Sequence, residues 1–195
     1  MKRDPYKFLA EEFEQLESGV LKAKHEYHSF SLSSIRGKRP ESRTVVLRNV
    51  NKKNHSISFN TDKRSQKYNE ITLNNNVSAL FYDKPRKVQL RISGKANIEN
   101  NNILAEQAWS KTTLDSKLCY LGPYAPSQTI EKFKVNLPLK PKEDLNKADL
   151  IKGFDRFCKV DIVFEKLDWL HLSHEGHQRI QFTFDKNLKY NWIAP

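Results

Sequence analysis

Between Arg43 and Lys67 the chain gathers the residue types that hold a phosphate. Arg43-Thr44-Val45-Val46-Leu47-Arg48 is a β-branched, apolar run with a guanidinium at either end. Asn60-Thr61-Asp62-Lys63-Arg64-Ser65-Gln66-Lys67 then mixes amide, hydroxyl and ammonium donors. Arginine offers a planar fork, lysine a point charge, and a helix start free backbone N–H groups. To act together these groups need a strand, a turn, a second strand and a helix. Arg43 to Val50 reads as the first strand and Asn51 to Asn54 as turn chemistry. His55 to Thr61 alternates Ile57 and Phe59 against Ser56, Ser58 and Asn60. Thr61 or Asp62 caps a helix from about Ser65 to Leu73. A solvated basic hairpin fits the same residues, so an anion site is one reading of two.

The wider composition narrows the partners. The 195 residues fit one domain over 1–195 with room for a core, and although only 37% are hydrophobic, 11% are aromatic and can carry it. A net charge of +11 favours anions: nucleotide, phosphate ester, nucleic acid or membrane surface. Ten Lys or Arg between Arg36 and Lys67 face only Glu41 and Asp62, which makes that stretch the anion-facing region. No apolar run approaches a membrane span, and the Glu-rich sequence after Pro5 is unlike a secretory leader. Cys119 and Cys158 lack metal-type spacing and fit a reducing cytosol, so the expected location is cytoplasmic.

The surrounding elements follow in order. Asp4-Pro5 opens an amphipathic helix over about 4–24, with Leu9, Phe13, Leu16 and Val20 on one stripe. His28 to Ile35 alternates as a strand, and Arg36 to Pro40 is a basic loop. Val77 to Tyr82 and Val88 to about Ile98 are strands joined by a turn at Asp83 to Arg86. Asn100 to Lys117 is helical, Tyr120 to Gln128 is a loop, and 131–153 is Lys- and Pro-rich, a candidate lid. Strands then return: Phe157 to Phe164, a turn at Glu165 to Asp168, Trp169 to Leu172, Gln178 to Phe184, and Tyr190 to Ile193. Eight or nine strands in hairpin order predict a mainly β protein, an antiparallel barrel with peripheral helices.

Four motifs in this order resemble the pyridoxine/pyridoxamine 5′-phosphate oxidase-like flavoproteins. They are Arg43 to Arg48, Asn60-Thr61 with Ser65-Gln66-Lys67, Gln89 within Val-Gln-Leu-Arg-Ile-Ser-Gly, and Trp169 ten residues before Arg179; the closing Trp192-Ile-Ala-Pro adds to them. The resemblance implies an FMN-binding split barrel, a homodimer with flavin sites where the subunits meet. By position it puts Arg43, Thr44, Val45, Val46, Leu47 and Arg48 along the flavin. Asn60, Thr61, Ser65, Gln66 and Lys67 fall at its phosphate and ribityl chain, and Gln89, Trp169 and Arg179 at the ring or across the dimer. Flavin carries the electrons itself, so no side-chain nucleophile is required and none is evident.

Departures bear on the substrate. Gln66 stands where the oxidases have an arginine, with Arg64 the neighbouring substitute. Glu175 and His177 replace their Arg-x-His pair, and Ala108, Thr112 and Ser116 their tyrosine, arginine and serine. A pyridoxal-type dianion would meet Glu175 instead of a guanidinium. The expected protein is therefore an FMN-dependent oxidoreductase of unidentified substrate, with His177 as a candidate substrate-facing group. The alternatives are a genuine pyridoxamine 5′-phosphate oxidase and a non-enzymatic basic barrel for single-stranded nucleic acid. Trp169 by itself reads as core, Gln89 as surface, and the His171, His174, His177 series as a surface turn, with no metal expected.

Overall fold

The computed structural model describes residues 4–195. Helix α1 (Pro5–Leu21) starts where expected: the Asp4 side chain accepts from the Tyr6 N–H at 3.0 Å, with Pro in the first turn. Its stripe of Phe8, Leu9, Phe13 and Leu16 is buried. The strands are β1 (Ser29–Arg36), β2 (Arg39–Val46), β3 (Asn49–Asn51), β4 (Ser56–Asp62), β5 (Asn76–Asp83), β6 (Val88–Glu99), β7 (Phe157–His171), β8 (Gln178–Phe184) and β9 (Leu188–Trp192). They form one antiparallel sheet in the order β2-β1-β5-β6-β7-β4-β3, with β8 paired to β7 and β9 to β8. Among the described residues no ladder joins β2 to β3, so the sheet is not closed: it is a split barrel with the helices outside.

The long pair β6–β7 organises the sheet. The first half of β7 pairs with β4 from Phe157 to Val163, and its second half with β8 from Lys166 to His171. The switch occurs at a bulge: Ser93 faces Lys166 and Gly94 faces Phe164, leaving Glu165 as the extra residue. A Cβ on Gly94 would lie 2.0 Å from the Val163 carbonyl oxygen, so only glycine permits this approach. Tyr27, Phe30, Phe59 and Phe81 fill the interior with Leu32, Leu47, Ile57, Leu90 and Ile92. Truncating one of these phenylalanines to alanine costs about 3–5 kcal/mol.

Several boundaries differ from the sequence reading. The Arg43 to Val50 strand is two strands: β2 begins at Arg39, inside the expected basic loop, and the run breaks at Leu47-Arg48 before β3. No turn falls at Glu165 to Asp168, because the bulge absorbs the turn-like residues and Leu167 and Asp168 are buried. The Asn100 to Lys117 helix is α3 (Ile103–Lys111) and α4 (Leu114–Leu118); Thr112 is extended and the Thr113 hydroxyl caps the second piece. Helix α2 (Gln66–Leu73) takes Ser65 as its cap residue, not Thr61 or Asp62. The 131–153 stretch, read as weakly patterned and a candidate lid, holds the start of a helix α5 (Lys147–Arg156), whose capping box pairs Asn146 with Asp149. No helix among the described residues is long and apolar enough to cross a membrane.

Candidate functional site

The end of β4 and the start of α2 bring donors together. Thr61 and Ser65 are buried, with hydroxyl oxygens 3.1 Å apart, and the Lys67 ammonium reaches the Thr61 hydroxyl at 3.4 Å. Ser65 makes no side-chain cap bond to its own helix. Arg43, on β2, acts on Lys67 through its charge. Burial and then the Arg43 guanidinium push the Lys67 ammonium below the ordinary lysine range, against the pull of Asp62 and Glu70. Lys67 is thus held beside two hydroxyl groups at a helix start, within electrostatic reach of Arg43, a setting that an anion stabilises.

Arg43 already has partners. Its Nη2 lies 2.7 Å from Glu70 Oε2, and its Nη1 donates to the Ser34 hydroxyl. Arg36 takes the other carboxylate oxygen, with Nε at 2.9 Å and Nη2 at 2.8 Å. Burial pushes the Glu70 carboxyl up, but hydrogen bonds from Ser34, Arg36 and Arg43 outweigh it and hold the group below its ordinary value. Gln66 accepts from Arg36 and so belongs to this network as well.

Arg48 and Asn60 lie apart from that cluster. Asn60 and Thr61, adjacent on β4, project to opposite sides of the strand, and Arg48 lies beyond the end of β2, in the break before β3. Arg48, Asn49, Ser58, Asn60 and Lys159 line a cavity of about 270 Å³ whose other wall is Leu104, Gln107, Ala108, Lys111, Thr112, Thr113 and Ser116 from α3 and α4. Ala108, Thr112 and Ser116 therefore share one pocket with Arg48. Asn60 Oδ1 is buried there without a hydrogen-bond partner, while Ser58 and Lys159 are tied to Asp161. An unpaired acceptor beside a guanidinium suits a ligand that carries both a donor and a negative charge.

The remaining predicted residues are spread over the sheet. Thr44 faces Ser31 across β1–β2, Val45 and Leu47 are core, and Val46 is half-buried. Gln89, Leu170 and Arg179 lie in register across β6, β7 and β8. Arg179 is bound to Asp168, Nε to Oδ1 at 3.0 Å and Nη2 to Oδ2 at 2.8 Å, and Arg91 holds the same carboxylate at 3.0 Å. Trp169 is a core residue at 6% exposure, packed 4.9 Å from Phe8, with its indole N–H donated to Glu12. His177 is exposed in the β7–β8 turn, where its Nδ1 accepts from the Ser173 N–H at 3.0 Å. Arg64 does not turn toward Lys67: it binds Asp62 at 2.7 Å and the Gly122 carbonyl at 3.0 Å. Sequence reasoning missed Glu70 and Lys159. Glu70 sits on a short helix of mixed polarity, where nothing in the spacing marks it as buried.

Comparison with known proteins agrees with this architecture. The family model for the pyridoxamine 5′-phosphate oxidase FMN-binding domain matches residues 9–100. Pyridoxine/pyridoxamine 5′-phosphate oxidase 2 of Arabidopsis thaliana is 27% identical over 153 residues, 74% of this chain and 72% of the relative. The pyridoxine/pyridoxamine 5′-phosphate oxidase of Pelagibacter ubique is 26% identical over 166 residues, 79% of this chain and 73% of that one. Among solved structures, a pyridoxamine 5′-phosphate oxidase-related, FMN binding protein from Nostoc punctiforme superposes with a TM-score of 0.75 at 18% identity, covering 100% of both chains. The cluster around Lys67 lies inside the matched residues, whereas the helical wall of the cavity begins after them. Residues 9–100 are thus similar to the pyridoxamine 5′-phosphate oxidase FMN-binding domain, and the fold is the split barrel of that family's solved structures.

Proposed function

We propose that this chain is an FMN-dependent oxidoreductase acting on a small anionic substrate. The observation that carries the reading is the Arg43, Thr61, Ser65 and Lys67 cluster. A half-buried lysine, lowered below its ordinary range by burial and then by a neighbouring arginine, beside two buried hydroxyls at a helix start is an arrangement that a phosphate relieves. Lys67 supplies a charge, Arg43 its remaining N–H groups, and the α2 start backbone donors to the flavin phosphate. When bound, the isoalloxazine ring supplies two-electron transfer. The protein's part is to hold that ring by its phosphate tail and to position a substrate beside it.

The cavity between β4 and α3 is the substrate's place in this reading. Arg48 attracts the anionic end and the unpaired Asn60 amide orients a donor group. The named relatives are pyridoxine/pyridoxamine 5′-phosphate oxidases, but Ala108 and Thr112 give this pocket fewer phosphate donors than the oxidase pattern, so we propose a different substrate. The outer sheet face carrying Tyr82, Gln89, Leu170 and Arg179, with Leu80 and Tyr82 exposed, supports a homodimer in which that face meets its copy. The purified protein should show flavin absorbance or quench added FMN on binding. A colourless protein that fails to bind added FMN overturns the proposal. Oxygen-dependent formation of pyridoxal 5′-phosphate by the flavin-loaded protein should be slight; robust turnover would identify a genuine pyridoxamine 5′-phosphate oxidase.

A further inference from the structure

We infer that Glu70 is a built-in counter-anion that sets how tightly this chain holds a phosphomonoester at the start of α2, by occupying Arg43 before any ligand arrives. The inference rests on the flavin mononucleotide reading above and assigns that site an affinity control of its own. Glu70 is 3% exposed and lies on the side of α2 that meets the barrel. Both of its carboxylate oxygens face guanidinium donors, Oε2 that of Arg43 at 2.7 Å and Oε1 that of Arg36 at 2.8 Å. A carboxylate and a phosphate compete for the same planar fork. Arg43 keeps N–H groups to share, since a guanidinium has five. Its charge is nevertheless largely compensated within the protein. Lys67 has no carboxylate within ion-pair distance among the described residues. It is left as the cation that gains most when a phosphate arrives.

This balance has a sign. Removing the Glu70 charge while keeping its shape frees Arg43 for the ligand and removes a like charge close to the phosphate. Glu70→Gln should therefore tighten the binding of flavin mononucleotide. Riboflavin, which lacks the phosphate, should be almost indifferent. A residue that merely supported the fold would move both flavins together.

The test is a fluorescence-quenching titration of flavin-stripped protein with flavin mononucleotide and with riboflavin. The proteins compared are wild type, Glu70→Gln, Arg43→Gln and the Glu70→Gln/Arg43→Gln double variant. Glu70→Gln should bind flavin mononucleotide about tenfold or more tighter than wild type, with riboflavin changed less than about threefold. In the Arg43→Gln background the gain should fall below about threefold, because Glu70 acts through Arg43. Should Glu70→Gln not fold, Arg36→Gln/Glu70→Gln keeps the cluster's net charge and should still show the part of the gain, about threefold or more for flavin mononucleotide over riboflavin, that comes from freeing Arg43. Wild-type binding with no gain, a loss, or an equal gain for riboflavin overturns the role of Glu70 alone. A gain that persists in Arg43→Gln does the same. Absence of flavin binding in every variant overturns both this inference and the cofactor reading.

Discussion

The indole N–H of Trp169 on β7 donates to Glu12 Oε1 on α1 at 3.0 Å, a bond spanning 157 positions of sequence. Glu12 is buried and also accepts from the Tyr27 hydroxyl at 2.9 Å and from Arg86 at 2.8 and 3.1 Å. One carboxylate thus ties the first helix to three parts of the barrel. Arg86 is further fixed by Asp83, whose carboxyl burial pushes up but Arg86 holds below its ordinary value.

Glu12→Gln should therefore be costly. It removes one of the two counter-charges of a partly buried guanidinium and leaves donors competing for a single amide oxygen. We expect a loss of about 2–4 kcal/mol, with Arg86 exposed enough to soften the buried-pair penalty. Urea unfolding measures it, and an unchanged slope would show that the native state alone is affected. A loss below about 0.5 kcal/mol, the range of an ordinary surface change, would mean that the apolar stripe of α1 suffices.

Lys67 should show the opposite behaviour. Its pKa in the folded chain lies below the unfolded value, so the folded state holds the proton less readily. The cost of keeping it charged is fully present below the folded pKa and fades as pH rises toward the ordinary lysine value. Lys67→Met should thus raise the melting temperature of flavin-free protein at pH 7, with the advantage shrinking in alkaline buffer. The same change should weaken flavin mononucleotide binding by about tenfold or more, since a charge-assisted contact is lost. A variant no more stable than wild type at pH 7 would mean that the Lys67 charge is already balanced without ligand.

The two thiols should separate cleanly. Cys119 is exposed, whereas Cys158 is fully buried on β7 and burial pushes its thiol up to about 12. Reactivity follows the thiolate. An aromatic disulfide reagent at pH 8 should label Cys119 within minutes and reach Cys158 only on unfolding. Rapid labelling of both in native buffer would show that β7 opens locally.

Much of the barrel was legible because alternation and turn residues mark hairpins: β1, β4, β6 and β8 fall close to where periodicity puts them. What escaped depends on partners distant in sequence. The polar face of β4, with Ser58 and Asn60, looks solvent-facing in an alternating strand; α3 and α4 cover it and turn it into a cavity wall. The continuity of β7 rests on a bulge opposite Gly94, which the turn-like composition of Glu165 to Asp168 conceals. Helix α5 did announce itself, through Asn146 and Asp149 at capping-box spacing, within a stretch whose prolines and lysines suggested a loop. Glu70 and Glu12 look like surface charges on amphipathic helices, and only the arginines brought to them by the fold reveal otherwise.

The separation of Arg43 from Arg48 makes the last prediction. The two guanidiniums close the same apolar run, and sequence alone groups them on one phosphate. In the fold Arg43 meets Glu70 beside Lys67, while Arg48 lines the cavity with Asn60 and Ser116. If each serves its own anion, Arg48→Ala should leave flavin mononucleotide affinity within about threefold, whereas Lys67→Ala weakens it by about tenfold or more. Arg48→Ala should instead weaken the binding of small anions, read as a rise in the inorganic phosphate needed to perturb flavin fluorescence in the loaded protein. Equal losses of flavin affinity in the two variants would mean that one anion spans both clusters, and the cavity would then belong to the cofactor. Loss confined to Lys67→Ala would show that Arg48 does not hold the cofactor phosphate, and would support the proposal that the cavity takes a separate small anion.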